Sequence, residues 1–264
     1  MRNLEIVFRR ARAERRVALV GYVPAGFPDV DTYLQVVKVA VEAGLDVLEI
    51  GLPVEEAVLD GQVIRSALAS IVASGITVDR ALELGAKSLR GLKAAGVAMI
   101  YASALADYGA DRLLSRCRRL GISGVLLVGA QAEDWIMFGE AANRAGGRPI
   151  GFLTAQANGQ SLQSIVAQTD GFLYVQSYKG ETGQYYGFGD QIKTRLKHIQ
   201  TYAHPKDLPV VVGFGVRRPQ DVQRLMDMGA DGVVIGTALV KAAARGPEAV
   251  HQLISGLAAA SRAS

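Results

Sequence analysis

Ala43-Gly44-Leu45-Asp46-Val47-Leu48-Glu49-Ile50-Gly51-Leu52-Pro53 holds a helix end, a glycine stop and a short apolar run. Gly44 stands where a left-handed residue closes a helix. Residues 47–50 are short and apolar, as a buried strand is. The phrase returns as Leu120-Gly121-Ile122-Ser123-Gly124-Val125 and as Met228-Gly229-Ala230-Asp231-Gly232-Val233. A chain that passes repeatedly from a helix through a glycine stop into a short apolar strand builds a parallel sheet covered by helices.

Read outward from that stretch, strands are predicted at 17–23, 47–50, 97–101, 125–128, 150–153, 172–175, 210–213 and 232–235. Helical periodicity fills 31–43, 64–74, 78–95, 111–120, 133–145, 162–168, 191–202, 219–228 and 247–260, and an amphipathic helix at 4–13 precedes the first strand. No linker rich in Pro, Ser or charge interrupts the series. The expected architecture is one α/β domain over 1–264, a (β/α)8 TIM barrel with an extra N-terminal helix. At 264 residues the length suits such a barrel, typically about 250 residues. An open doubly wound sheet is the alternative, but eight units at this length favour closure.

Bulk composition narrows the function. The net charge is +4, and the small basic clusters at 9–16 and 116–119 fall on helical patterns, so they read as solvated faces and not as a nucleic-acid surface. Cys117 is the single cysteine, which excludes an internal disulfide and suits a reducing cytoplasm. Its helical spacing with Leu113, Leu114 and Leu120 makes it a core residue. There is no signal-peptide pattern and no membrane-length apolar run, so a soluble, cytoplasmic protein is expected.

Glu49 is the odd residue in its strand. Alternation sends Leu48 and Ile50 to one face and Val47, Glu49 and Gly51 to the other. A carboxylate buried there costs several kcal/mol unless it is paired, neutralised or set in a pocket. At the carboxyl end of a barrel strand, beside a glycine that leaves room for a ligand, it would line the site, and burial would raise its pKa towards the useful range. A plain salt-bridging Glu is the rival reading. The following loop returns a second carboxylate at Asp60.

Two glycine turns face the same end. Gly213-Phe214-Gly215 follows the seventh strand and Gly236-Thr237 the eighth, where barrels of this class bind phosphate through backbone N–H groups and a hydroxyl. The loop 176–189, rich in Gly and Tyr, reads either as a lid or as an ordinary surface excursion. Tyr22, Tyr101, Phe152, Tyr174 and Phe214 supply an apolar rim. The strand ends offer no His for a metal and no Lys for a Schiff base, Lys179 in the loop being a remote candidate. What remains is proton transfer on a phosphorylated, aromatic-sized substrate, without metal or cofactor.

At these residues the chain resembles the tryptophan synthase α subunit family, nearly end to end. Leu48-Glu49-Ile50-Gly51-Leu52-Pro53 and Asp60-Gly61 match the family's catalytic segment, Ser177 and Thr182-Gly183 its mobile sixth loop, and Gly213-Phe214-Gly215 with Gly236-Thr237 its phosphate site, Thr standing where Ser is common. The resemblance implies retro-aldol cleavage of indole-3-glycerol phosphate to indole and glyceraldehyde 3-phosphate, indole then passing to a β subunit. It implies that Glu49 protonates the ring carbon and that Asp60 accepts the ring N–H. Tyr22, Tyr101, Tyr174, Thr182 and Phe214 would border the substrate, and Gly183, Gly215, Gly236 and Thr237 would hold phosphate.

The chain also departs from the family. Val54-Glu55-Glu56-Ala57-Val58-Leu59 replaces the usual Phe-Ser-Asp-Pro-Leu-Ala, Gly129-Ala130-Gln131 replaces an Asp-x-Pro pattern, and Tyr178 replaces an Arg. The first two segments, 54–59 and 129–131, are those through which the family meets its β subunit. The expectation is a divergent member able to act without that partner, the altered segments putting the β subunit in doubt as a partner. Two rival readings keep the barrel: an aldolase or lyase for another phosphorylated substrate, and a catalytically silent partner protein.

Overall fold

Short β-branched and small-residue runs supply the strands, and several end at or just before a glycine: Gly51, Gly129, Gly213 and Gly236. The computed structural model describes residues 4–155, 157, 159–178, 180–182 and 188–262. Strands β1 (Ala18–Pro24), β2 (Val47–Gly51), β3 (Ala95–Tyr101), β4 (Gly124–Val128), β5 (Pro149–Leu153), β6 (Leu173–Gln176), β7 (Val210–Gly213) and β8 (Gly232–Ile235) pair in sequence order, all parallel. Strand β8 returns to β1, with Leu19 opposite Val233, and closes the barrel.

Around it run α1 (Leu4–Ala13), α2 (Val30–Glu42), α3 (Gln62–Ala73), α4 (Val78–Ser88), α5 (Ala102–Tyr108), α6 (Ala110–Leu120), α7 (Ala132–Arg144), α8 (Gly159–Gln168), α9 (Asp190–Ala203), α10 (Pro219–Asp227), α11 (Thr237–Ala243) and α12 (Pro247–Ala260). No helix among the described residues is long and apolar enough to cross a membrane. The pleat divides the core in two. Leu48 and Ile50 pack outward in a cluster shared with α2 and α4, while Val47 packs inward with Val20, Val97 and Val211.

The repeated phrase does more than end helices. Gly121 closes α6 in the left-handed region at φ 72°, a conformation other residues adopt at a cost. Two residues beyond the corresponding glycines, Asp46 accepts the Leu19 N–H at 3.0 Å and Asp231 accepts the Val210 N–H at 2.9 Å. Each carboxylate thus satisfies an amide at the start of the neighbouring strand, at the amino-terminal floor of the barrel. Asp46, fully buried, also takes Arg16 at 2.5 and 2.8 Å and Arg10 at 2.7 Å. These bonds draw α1 and the start of β1 onto β2.

The structure corrects the elements in two places. The helix expected over 78–95 ends at Ser88; the chain turns through Gly91 at φ 79° and enters β3 at Ala95. Helices α5 and α11, of seven residues each, were not expected. Helix α5 has no capping side chain and buries none of its residues, so its sequence carries no apolar stripe to read.

Candidate active site

The inward position of β2 decides the site. Glu49 is only 1% exposed, and its Oε1 is buried without a hydrogen-bond partner. Burial first, and the nearby Asp60 charge second, push its pKa up to about 8. Glu49 is therefore a neutral acid at pH 7, with a proton to give. It lies opposite Tyr22 in the β1–β2 register.

The expectation that Gly51 leaves room for a ligand is corrected. A Cβ there would fall 2.6 Å from the Tyr22 Oη, so the space is already filled by the Tyr22 ring. Gly213 stands in the same relation to Tyr174, whose Oη lies 2.0 Å from where a Cβ would be. Both glycines seat tyrosines in the wall of the cavity.

Asp60 reaches the same cavity despite the altered loop before it. Val54 and Ala57 bury against the barrel core while Glu55 and Glu56 stay exposed, so the loop is anchored by its apolar residues and its acids point away. The Asp60 Oδ2 accepts the Tyr101 hydroxyl at 2.6 Å, and Oδ1 accepts the Thr182 hydroxyl at 3.0 Å. Burial raises its pKa, opposed by those two hydroxyls and by the Arg65 charge. The rise at Glu49 has no such opposition. Environment thus treats the acids differently: burial acts unopposed on Glu49, while two hydroxyl donors offset part of the rise at Asp60.

Aromatic rings line the rest. Phe152 and Tyr174 lie 5.3 Å apart at 49°, and Tyr174 meets Phe214 edge-on at 6.3 Å and 88°. Phe214 has φ 70°, a strained value for a non-glycine residue, and Ser177 fixes its carbonyl by a 2.5 Å bond from Oγ. Tyr178 stands edge-on to Phe214 at 5.9 Å.

Of the residues expected at the site, Tyr22, Glu49, Asp60, Tyr101, Tyr174, Thr182, Phe214 and Gly236 all line this one cavity. Gly215 and Thr237 follow Phe214 and Gly236 in the chain but are not among the residues lining it. Gly183, and Lys179, lie outside the described residues. Leu59, Ile64, Leu126 and Val128 also line it without having been singled out. The alternation of β4 could have found Leu126 and Val128, which share an inward face; nothing local marks Leu59 or Ile64.

Thr182, in the loop after β6, reaches the cavity wall beside Asp60. The Thr182 N–H bonds the Leu59 carbonyl at 3.2 Å, and the Gly61 N–H bonds the Thr182 hydroxyl at 2.9 Å. A Cβ on Gly61 would sit 2.2 Å from the Thr182 carbonyl oxygen, so this approach needs glycine.

Fold and site together define a closed parallel barrel whose carboxyl ends hold a covered pair of carboxyl groups, an arrangement suited to acid–base chemistry on an aromatic substrate. Comparison with known proteins is consistent throughout. A family model described as tryptophan synthase alpha chain matches residues 8–263. The chain is 33% identical to a tryptophan synthase alpha chain of Mycobacteroides abscessus over 97% of this chain and 96% of that one. It is 32% identical to the alpha chain of Caldicellulosiruptor bescii, covering 88% of each. A solved chain from Aquifex aeolicus superposes with TM-score 0.89 at 26% identity over the whole of both chains, and one in tryptophan synthase from M. tuberculosis with TM-score 0.84 at 26% identity over 99% and 98%. The chain belongs to the tryptophan synthase alpha chain family.

Proposed function

We propose that this chain cleaves indole-3-glycerol phosphate into indole and glyceraldehyde 3-phosphate. Glu49, protonated at neutral pH, gives its proton to the indole carbon that carries the glycerol chain. Positive charge then develops at the ring nitrogen, whose N–H donates to the Asp60 carboxylate. The Glu49 carboxylate left behind takes the proton of the neighbouring side-chain hydroxyl. The carbon–carbon bond breaks, its electron pair returning to the ring and the oxygen becoming the aldehyde. No water is consumed. Gly183, Gly215, Gly236 and Thr237 hold the phosphate, and the aromatic walls, Tyr22 and Tyr174 among them, sandwich the indole.

The observation that carries this reading is a fully buried, unpaired Glu49 sharing an aromatic cavity with a doubly braced Asp60. We also propose that the reaction runs in the cytoplasm and does not depend on a β subunit, since segments 54–59 and 129–131 differ from those that serve partner contact in the family. The test is incubation of the purified chain with indole-3-glycerol phosphate, assaying indole and aldehyde in equal amounts. Release by the chain alone, unaltered on adding a β subunit and lost in Glu49→Gln and Asp60→Asn, is the expected result. No release even with a β subunit present would overturn it.

A further inference from the structure

The covering loop is held by more than the site needs. Thr182 alone would tie it to the 59–61 segment through its amide and hydroxyl. One residue earlier, Glu181 makes a forked ion pair with Arg65 on the first turn of α3, at 2.9 Å to Nη1 and 3.4 Å to Nη2. The Glu181 carbonyl accepts the Tyr178 hydroxyl at 3.2 Å, and the Gly180 carbonyl accepts the Gln176 side-chain amide at 3.1 Å. Gln176 is itself buried, its Oε1 taking the Ala155 N–H at 3.1 Å. Glu181 is therefore gripped from the barrel side by α3 and from the loop side by Tyr178, and Thr182 follows directly with its hydroxyl on Asp60.

We infer that Arg65 and Glu181 are a positioning pair, which holds residues 180–182 against the barrel and sets the Thr182 hydroxyl on Asp60. The inference rests on the reaction proposed above in one respect, that Asp60 works in the anionic form this hydroxyl supports. Both side chains are about two-fifths exposed, at 40% and 43%, so the pair adjusts the loop's closed population modestly and is not what holds the fold.

A positioning role is separable from a charge role. As charges, Arg65 lowers and Glu181 raises the pKa of Asp60, so neutralising each would move its titration in opposite directions. As a latch, losing either partner has one effect. The experiment compares Arg65→Gln, Glu181→Gln and the exchange Arg65→Glu with Glu181→Arg. It measures amide hydrogen exchange at Thr182 and Gly61, and the pH profile of kcat/KM for indole release. Both single variants should speed exchange at the two amides and lower kcat/KM, each by roughly two- to fivefold, and the exchanged pair should recover both. Unchanged exchange in the single variants, no recovery in the swap, or pH profiles displaced in opposite senses with unchanged plateau kcat/KM would overturn the inference. If the chain releases no indole at all, the exchange measurements alone decide it, and the failure belongs to the proposed reaction.

Discussion

Glu49 shows how burial prepares a proton for transfer. Its folded pKa of about 8 lies above the ordinary value of 4.5, so the folded protein binds a proton that the unfolded chain has released between those values. The associated stability is present in full below pH 4.5 and is lost as pH rises through 8. Glu49→Gln, always neutral, should match the native chain near pH 4.5 and exceed it at pH 9 by up to a few kcal/mol, as read by thermal unfolding at both pH values. The same substitution should remove turnover by roughly 10²- to 10⁴-fold. Stability and activity then move in opposite directions at one residue. Glu49 was legible in the sequence because a charge inside an apolar strand has few inexpensive explanations. Gly51 was misread because the sequence cannot say which neighbour fills the space a glycine leaves; it is Tyr22, 29 positions earlier and on the next strand, where it stands opposite Glu49.

At the scale of elements, the strands were readable to within a residue or two because parallel strands buried on both faces leave uninterrupted apolar runs. The end of α4 was not. Residues 89–94 keep enough apolar character to extend the helical pattern, and Gly91 ends it only through its backbone angle. Thr182 was placed at the site only by the family resemblance, and neither its bond to Asp60 nor the Arg65–Glu181 pair was legible, their partners being 122 and 116 positions apart. Gly61 offers a clean test of the closed loop. Its φ of −79° and ψ of 173° suit alanine, so Gly61→Ala meets no local strain and clashes only with the Thr182 carbonyl. We expect kcat/KM to fall on the order of 10²-fold, with the denaturant midpoint of the barrel unchanged. A matching loss of global stability would mean that the loop is part of the fold and not a cover over it.

For the whole molecule, strength and chemistry occupy opposite ends of the barrel. The floor is stitched by Asp46 with Arg16 and Arg10, and the Val17 N–H bonds the Ser261 carbonyl at 3.0 Å, bringing α12 to the same place. The Arg16 side chain is 8% exposed and that of Asp46 1%, and breaking a buried pair leaves an uncompensated charge. Arg16→Ala should cost stability near the lower end of about 3–5 kcal/mol, because Arg10 stays on the carboxylate. Turnover measured well below the unfolding temperature should be unaffected. A loss of activity without a loss of stability would show that the floor communicates with the mouth.

The Asp46 clamp also bears on how such a chain can change over generations. Because the anchoring charges sit at the end that meets no substrate, replacements in the loops above are judged by chemistry and association alone, with little folding penalty attached. Segment 54–59 reads as a record of that freedom: a new acid, Glu55, stands at the surface without displacing Asp60. A barrel anchored at its floor could explore other substrates by the same route.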